Sequence, residues 1–432
     1  MSQTQPNIPA RTKKQSNPIY RIAFVHLVSK KRQTIVAMLG VMFGITVFIF
    51  QAGLITGLQI YMLDKIVNNQ AHIHIYNEPD KHPPSILSQL PEHQQDWVLV
   101  RNQKQKDAKK QLKNGAGLMK ILEAHPAVLG IAPNVNTQGI LRSGFKETPA
   151  SLNGIVIDKE NQLFNLNKEV IAGDINQLKV INNGAILGVG VADKIGAEVG
   201  DILTLATTNA IVDVKVVAIT QSGITQVDDN RAYINIGLAQ NLVNADRTYI
   251  TDLNIKLKDV DAADRLSVQF EQSLGYKAQS WKEANAGIFG VFKIQNMATG
   301  LVIVSILIVA GFGIFNILMM MIYEKMTDIA ILKSIGFRNS DIRNLFMIEA
   351  LIIGVAGGIT GLGMGYGVSL LASQLKVQLR GLVTIDHLII NFDPLFYTVG
   401  FGFAILSTAL AGYFPARKAS KIDPVEIIRG KW

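Results

Sequence analysis

The chain has 432 residues, 48% of them hydrophobic and 17% charged, with a formal net charge of +9 and no cysteine. Without cysteine there is no disulfide framework and no thiolate metal site. The excess of lysine and arginine sits in short flanks beside apolar stretches, which points to membrane topology and anionic lipid headgroups rather than to nucleic acid.

Met1–Ser16 is polar and aperiodic and reads as a disordered tail. Asn17-Pro18, then Ile19, Ile22, Ala23 and Leu27 at helical spacing, predict an amphipathic helix on the membrane surface, completing a first segment over 1–33. Residues 34–63 are the first of four apolar stretches; the others cover 298–323, 345–372 and 395–414. Each reaches the ~20 residues that a helix needs to cross a bilayer core. The first is too long for a signal peptide, and Gln51-Ala52-Gly53 runs on into helix-like sequence, so it reads as an uncleaved span. The expected fold class is an α-helical membrane protein with four transmembrane helices, arranged 1+3 around a large domain inserted between helices 1 and 2.

That domain, residues 64–297, is long enough for two subdomains. His72–Tyr76, Val212–Val217 and Ala232–Ile236 read as strands, and Leu118–Ala124 and Ala262–Leu274 as helices, hence α+β. Lys81–Asn114 is rich in Pro, Gln and Lys and reads as an inserted loop outside the core. His72 and His74 share a strand face, but a pair without a third ligand reads as polar surface, so no metal site is expected. Gly188-x-Gly190 lacks the third glycine of a dinucleotide fingerprint and reads as a strand end. No phosphate-loop, HExxH or GxSxG motif occurs, so no catalytic residue is expected.

Lysines and arginines set the orientation. Arg11, Lys13, Lys14, Arg21 and Lys30–Arg32 precede the first span, Lys325, Lys333, Arg338 and Arg343 lie in 324–344, and Arg417, Lys418, Lys421, Arg429 and Lys431 lie in 415–432. The positive-inside rule makes these segments cytoplasmic and places 64–297 and the loop 373–394 on the far side. Glycines at 354, 357, 358, 361 and 365 give the third span a small-residue face for helix packing. In the first span Gly40, Gly44, Gly53 and Gly57 lie beside a bulky stripe of Phe43, Val47, Phe50, Leu54, Leu58 and Met62. That stripe either packs on the second span or lines a lipid-accessible substrate groove.

The loop after the second span holds Glu324, Lys325, Asp328, Ile329, Ala330, Leu332, Lys333, Ser334, Ile335 and Gly336. Ile329, Leu332 and Ile335 are expected on one helical face with Asp328 and Lys333 off it. Gly336 is placed as the C-terminal cap, and Ser340 as the N-cap of the third span. A short amphipathic helix there needs an apolar partner other than the bilayer core. With the tail residues Pro415, Ala416, Arg417, Asp423 and Pro424, this loop resembles the MacB/FtsX-type permeases of ABC transporters. Within them the chain is most similar to the lipoprotein-releasing permeases (LolC/LolE type), through Gly53–Leu58 to Ile75, Gly184–Leu205 and Ser280–Asn285.

The resemblance implies a coupling helix docked on a separate ABC ATPase subunit, present in two copies, which binds ATP and Mg; this chain would hold no cofactor. It implies a second permease copy or a related chain, a periplasmic carrier or adaptor, membrane lipids and no nucleic acid as partners. The location would be a bacterial inner membrane, with both termini cytoplasmic and the large domain periplasmic. The function implied is release of a lipid-anchored substrate such as a lipoprotein. The alternatives are an efflux permease of a tripartite exporter and an FtsX-like regulator of a cell-wall hydrolase.

Overall fold

The computed structural model of the protein describes residues 18–78, 110–380, 384–423, 425 and 427. It divides into a helical unit, comprising the chain up to Gln59, Phe292–Lys376 and the chain from His387, and an α+β unit, Ile60–Val291 with Val377–Asp386. Helix α1 (Pro18–Ser29) is followed by α2 (Lys31–Asn69), one unbroken helix of 39 residues. At 1.5 Å per residue α2 is about 58 Å long, roughly twice a bilayer core, so its last turns belong to the α+β unit.

The α+β unit continues with β1 (Ile73–Tyr76) and α3 (Gly115–Glu123). A hairpin of β2 (Val128–Ser143) and β3 (Lys146–Ile155) turns at Gly144, whose φ of +58° suits glycine. Next come α4 (Ile157–Phe164), β4 (Val170–Gly173), β5 (Gly184–Gly188) and α5 (Val189–Ile195). Strands β6 (Ile202–Ala206) and β7 (Ile211–Thr220) precede α6 (Thr225–Asp228), β8 (Arg231–Asn235) and α7 (Ile236–Leu242). The unit closes with β9 (Asp252–Leu257), α8 (Ala263–Leu274), β10 (Lys277–Ser280) and α9 (Trp281–Ala284).

The strands run in the order β10-β1-β9-β2-β3-β8-β5-β7-β4, with β6 joining β2 and β7. The long strand β2 serves two lobes: residues 128–134 pair with β9, and 135–143 pair with β3. In the lower lobe β10-β1-β9-β2 buries Ile73, Ile75, Leu253, Ile255 and Phe270 with Ile66 of α2. Leu112, expected in the insertion, is a fully buried member of this core; residues 81–109 of that loop lie outside the described residues. In the upper lobe β5 is buried on both faces, which explains its uninterrupted apolar sequence. Ala185 and Leu187 face α5 and α7, whereas Ile186 faces the core with Ile157, Leu166 and Leu178. Gly188 and Gly190 are required because α6 presses against them.

The chain then enters α10 (Ala286–Glu324), α11 (Met326–Ser334) and α12 (Asn339–Ser373). A hairpin of β11 (Lys376–Arg380) and β12 (Thr384–His387) leads to α13 (Pro394–Ser420), capped by Asp393. Helices α2, α10, α12 and α13 are long and apolar enough to cross a membrane. The α12 glycines serve two faces rather than one. A Cβ on Gly357, Gly361 or Gly365 would lie 2.8–2.9 Å from Val41, Ile45 and Ile49 of α2 respectively, and Gly354 and Gly358 face α13. This is close small-residue packing. Ser340 does not cap α12. Arg338 is the N-cap residue, and Asp341 Oδ2 accepts its N–H at 2.9 Å.

Candidate coupling loop and apolar groove

Helix α11 is held on the helical unit by the residues expected to face outward. Ile329 and Ala330 are buried with Ile322, Ile342, Phe346, Ala416 and Ala419, and Leu332 is half-buried against the same cluster. Ile335 lies apart from them and is 72% exposed, so Ile329, Leu332 and Ile335 do not share a face. The apolar face that stays free is Ile331, 51% exposed, with Ile335 one turn on. Thr327, Ser334 and Gly336 are exposed beside it. Gly336 caps as expected: at φ +108° its N–H donates to the Lys333 carbonyl, and that of Phe337 donates to Leu332. Ile331 and Thr327 were readable from the i, i+4 spacing that ends at Ile335.

The charged loop residues are fasteners. Glu324 accepts from Lys30 at 2.6 Å and from Gln33 at 3.1 Å, and Lys325 pairs with Asp328 at 2.7 Å. Lys333 donates to the carbonyls of Ser420 and Ile422 at the C-terminus of α13, where a cation also suits the helix dipole. Lys418 reaches the Tyr323 hydroxyl at 2.7 Å. Of the tail residues, Pro415 and Ala416 lie buried inside α13 and Arg417 and Asp423 lie near its end; Pro424 is outside the described residues. His26 of α1 is 2.9 Å from the buried Glu349 of α12. Ala23 and Leu27 are buried, while Tyr20, Phe24, Val25 and Val28 are exposed. The expected apolar face of α1 thus lies against protein, and a second apolar face is free for the membrane surface.

On the first-span stripe, Phe43 is exposed, Val47, Phe50, Leu54 and Leu58 are half-buried, and Met62 is buried. The adjoining glycine face is occupied: Gly53 and Gly57 lie under Ile389–Asn391, whose Asn391 N–H donates to the Gly53 carbonyl at 2.9 Å. A groove of about 540 Å³ lies instead between α10 and α13. Phe312, Phe315, Phe403, Leu410 and Phe414 line it.

In the α+β unit the end of α2 is clasped by Lys256, whose Nζ donates to the carbonyls of Val67, Asn68 and Gln70 at 2.7, 2.8 and 3.2 Å. Burial holds this amine down at about 8. His72 Nε2 binds the Val67 carbonyl and its Nδ1 accepts from Leu257 N–H, while His74 pairs with Asp252. The two histidines therefore serve strand and helix ends separately.

Comparison with known proteins agrees with this geometry. Residues 34–273 match the MacB-like periplasmic core domain, and residues 300–424 match the FtsX-like permease C-terminal family. The lipoprotein-releasing system transmembrane protein LolC of Neisseria meningitidis is 25% identical, over 94% of this chain and 98% of its own length. LolE of Haemophilus influenzae is 23% identical, over 96% of each chain. The macrolide export ATP-binding/permease protein MacB of Photorhabdus laumondii is 23% identical, over 71% of this chain and 47% of its own length. A membrane protein with a periplasmic-type α+β domain and four apolar helices, the chain belongs to the MacB/FtsX-type permeases of ABC transporters, with lipoprotein-releasing LolC and LolE proteins among its relatives.

Proposed function

We propose that the chain is the permease subunit through which a separate ATPase drives movement of the α+β unit, releasing a lipid-anchored substrate such as a lipoprotein from the inner membrane. The observation that carries this reading is the free pair Ile331 and Ile335 on a helix otherwise fastened to the bundle. Such a pair fits an apolar socket on an ATPase subunit, where ATP and Mg would bind. Two ATPase copies and a second permease copy or related chain would complete the assembly. The least buried span, α10, offers the face for that permease neighbour. The lysine and arginine flanks support cytoplasmic termini and a periplasmic α+β unit. The full-length match to lipoprotein-releasing relatives supports the substrate class. The half-buried stripe from Val47 to Leu58 and the α10–α13 groove are the surfaces where an acyl chain would lie, each buried CH₂ contributing ~0.8 kcal/mol.

Ile335→Glu would drive a carboxylate into the socket at a cost of a few kcal/mol. The variant is expected to reach the membrane in normal amount, yet to lose both the ATPase that copurifies with the wild-type chain and its stimulated hydrolysis. Leu332→Glu is expected to lower the amount of folded protein instead. Retention of the ATPase by Ile335→Glu sinks the reading.

A further inference from the structure

The extension of α2 presents Tyr61, Lys65 and Asn69 along one face, four residues apart. They meet the upper lobe at two places. A side chain on Gly223, whose φ is +84°, would lie 3.4 Å from Tyr61 Oη and 3.5 Å from Lys65 Cε. Two turns beyond Tyr61, Asn69 Nδ2 donates to Glu169 Oε1 at 2.6 Å. Glu169 is 8% exposed and follows α4, which carries Glu160, 7% exposed. Glu160 Oε2 has no hydrogen-bond partner among the described residues.

The charges around these two carboxyls come from every neighbouring element. Arg231 of β8 acts on both, and its Nη1 donates to Tyr233 Oη at 3.2 Å. Asp228 of α6 acts on Glu169 and accepts from the backbone of Ser222 and Gly223 at 2.7 and 3.2 Å. Lys65 of α2 acts on Glu169. Three buried carboxyls, Glu160, Glu169 and Asp228, thus stand against two cations. Burial pushes Glu160 and Glu169 up to about 7 against the opposing pull of Arg231.

We propose that Glu169, backed by Glu160 and Arg231, is a proton-operated latch between the α2 extension and the upper lobe, seated on α2 when protonated and released when the proton leaves. The inference goes beyond the transport reading and holds whether or not that reading does. Burial sets its sign. Seated, the carboxyl keeps its proton up to about pH 7; lifted and hydrated, it returns to its ordinary 4.5. Between these values the seated form holds a proton that the lifted form lacks. Raising the pH through this window increases the lifted-to-seated ratio by up to about tenfold per unit, about 40-fold from pH 5 to pH 7.

The test uses the full chain in lipid nanodiscs, with nitroxides on Gln272→Cys of α8 in the lower lobe and Asn182→Cys in the upper lobe, both exposed sites. Pulsed electron resonance at stepped pH is expected to show a longer distance that grows between pH 5 and pH 7. Glu169→Gln should remove that response and leave the short distance alone. A distance distribution unchanged from pH 5 to pH 8, or an unaltered response in Glu169→Gln, overturns the latch. Infrared titration of the wild-type chain covers the case in which the variant does not fold. A protonated carboxyl band disappearing near pH 7 is expected, and the absence of any carboxyl titrating above pH 6 refutes the proposal.

Discussion

Lysine performs two opposite tasks in this chain, and the difference is one of surroundings. In the flanks it is a hydrated charge that reports topology. At Lys256 and Lys333 it is a capping donor for helix C-termini, where otherwise unpaired carbonyls accumulate. Lys256→Met removes a donor shared by three carbonyls at and just beyond the end of α2, a loss of about 1–3 kcal/mol, and should lower the first unfolding transition of the full chain in detergent. The pH dependence gives a second measurement. The folded-state value, about 8, lies below the ordinary 10.5. Above pH 8 the folded form has released a proton that the unfolded form still holds, so the lysine's contribution to stability rises from pH 8 to 10.5. The increment should be missing from Lys256→Met, and its persistence would assign it to another group.

At the scale of whole elements, the glycines of α12 separate two requirements that look alike in sequence. Alanine is favoured over glycine in a helix by up to about 1 kcal/mol. At Gly363, where nothing lies within 4 Å, Gly363→Ala should therefore be neutral or stabilising. At Gly361 the new methyl would meet Ile45 Cβ and the Met42 carbonyl at 2.9 Å, and an overpacking cost of about 1–3 kcal/mol outweighs propensity. Thermal unfolding of the two variants in detergent should move in opposite directions, and a parallel shift would contradict the packing. Sequence reading recovers α1, the four long apolar helices, three strands, α3 and α8, whose signals are local periodicity and caps. It does not recover β2, β3 or β9; β2 and β3 form a local hairpin, but β2 also pairs with β9 and β3 with β8, residues far apart in the chain. The candidate coupling loop shows the same limit. Its apolar positions are visible in sequence, but which of them face the bundle depends on α12 and α13, and that decides between Leu332 and Ile335.

For the molecule as a whole, the proposed orientation rests on charge placement and has a clean assay because native cysteine is absent. Val180, 83% exposed in the α+β unit, should as Val180→Cys react with an impermeant thiol reagent in spheroplasts, and Ser334→Cys should not. Reversed labelling would invert the topology. Ser222, although polar, is unsuitable because it is buried.

The central place of β1 has a consequence for how the protein is made. Its two sheet partners are residues 252–257 and 277–280, so Ile73 and Ser280 are register neighbours separated by roughly 200 residues of synthesis. At about 5–20 residues per second a ribosome needs about 10–40 s to deliver the second edge. During that interval a nascent Ile73–Tyr76 strand waits with both edges bare, beside a helix that has already left the ribosome. Synthesis therefore passes through an interval of exposed strand edges that the finished fold no longer shows.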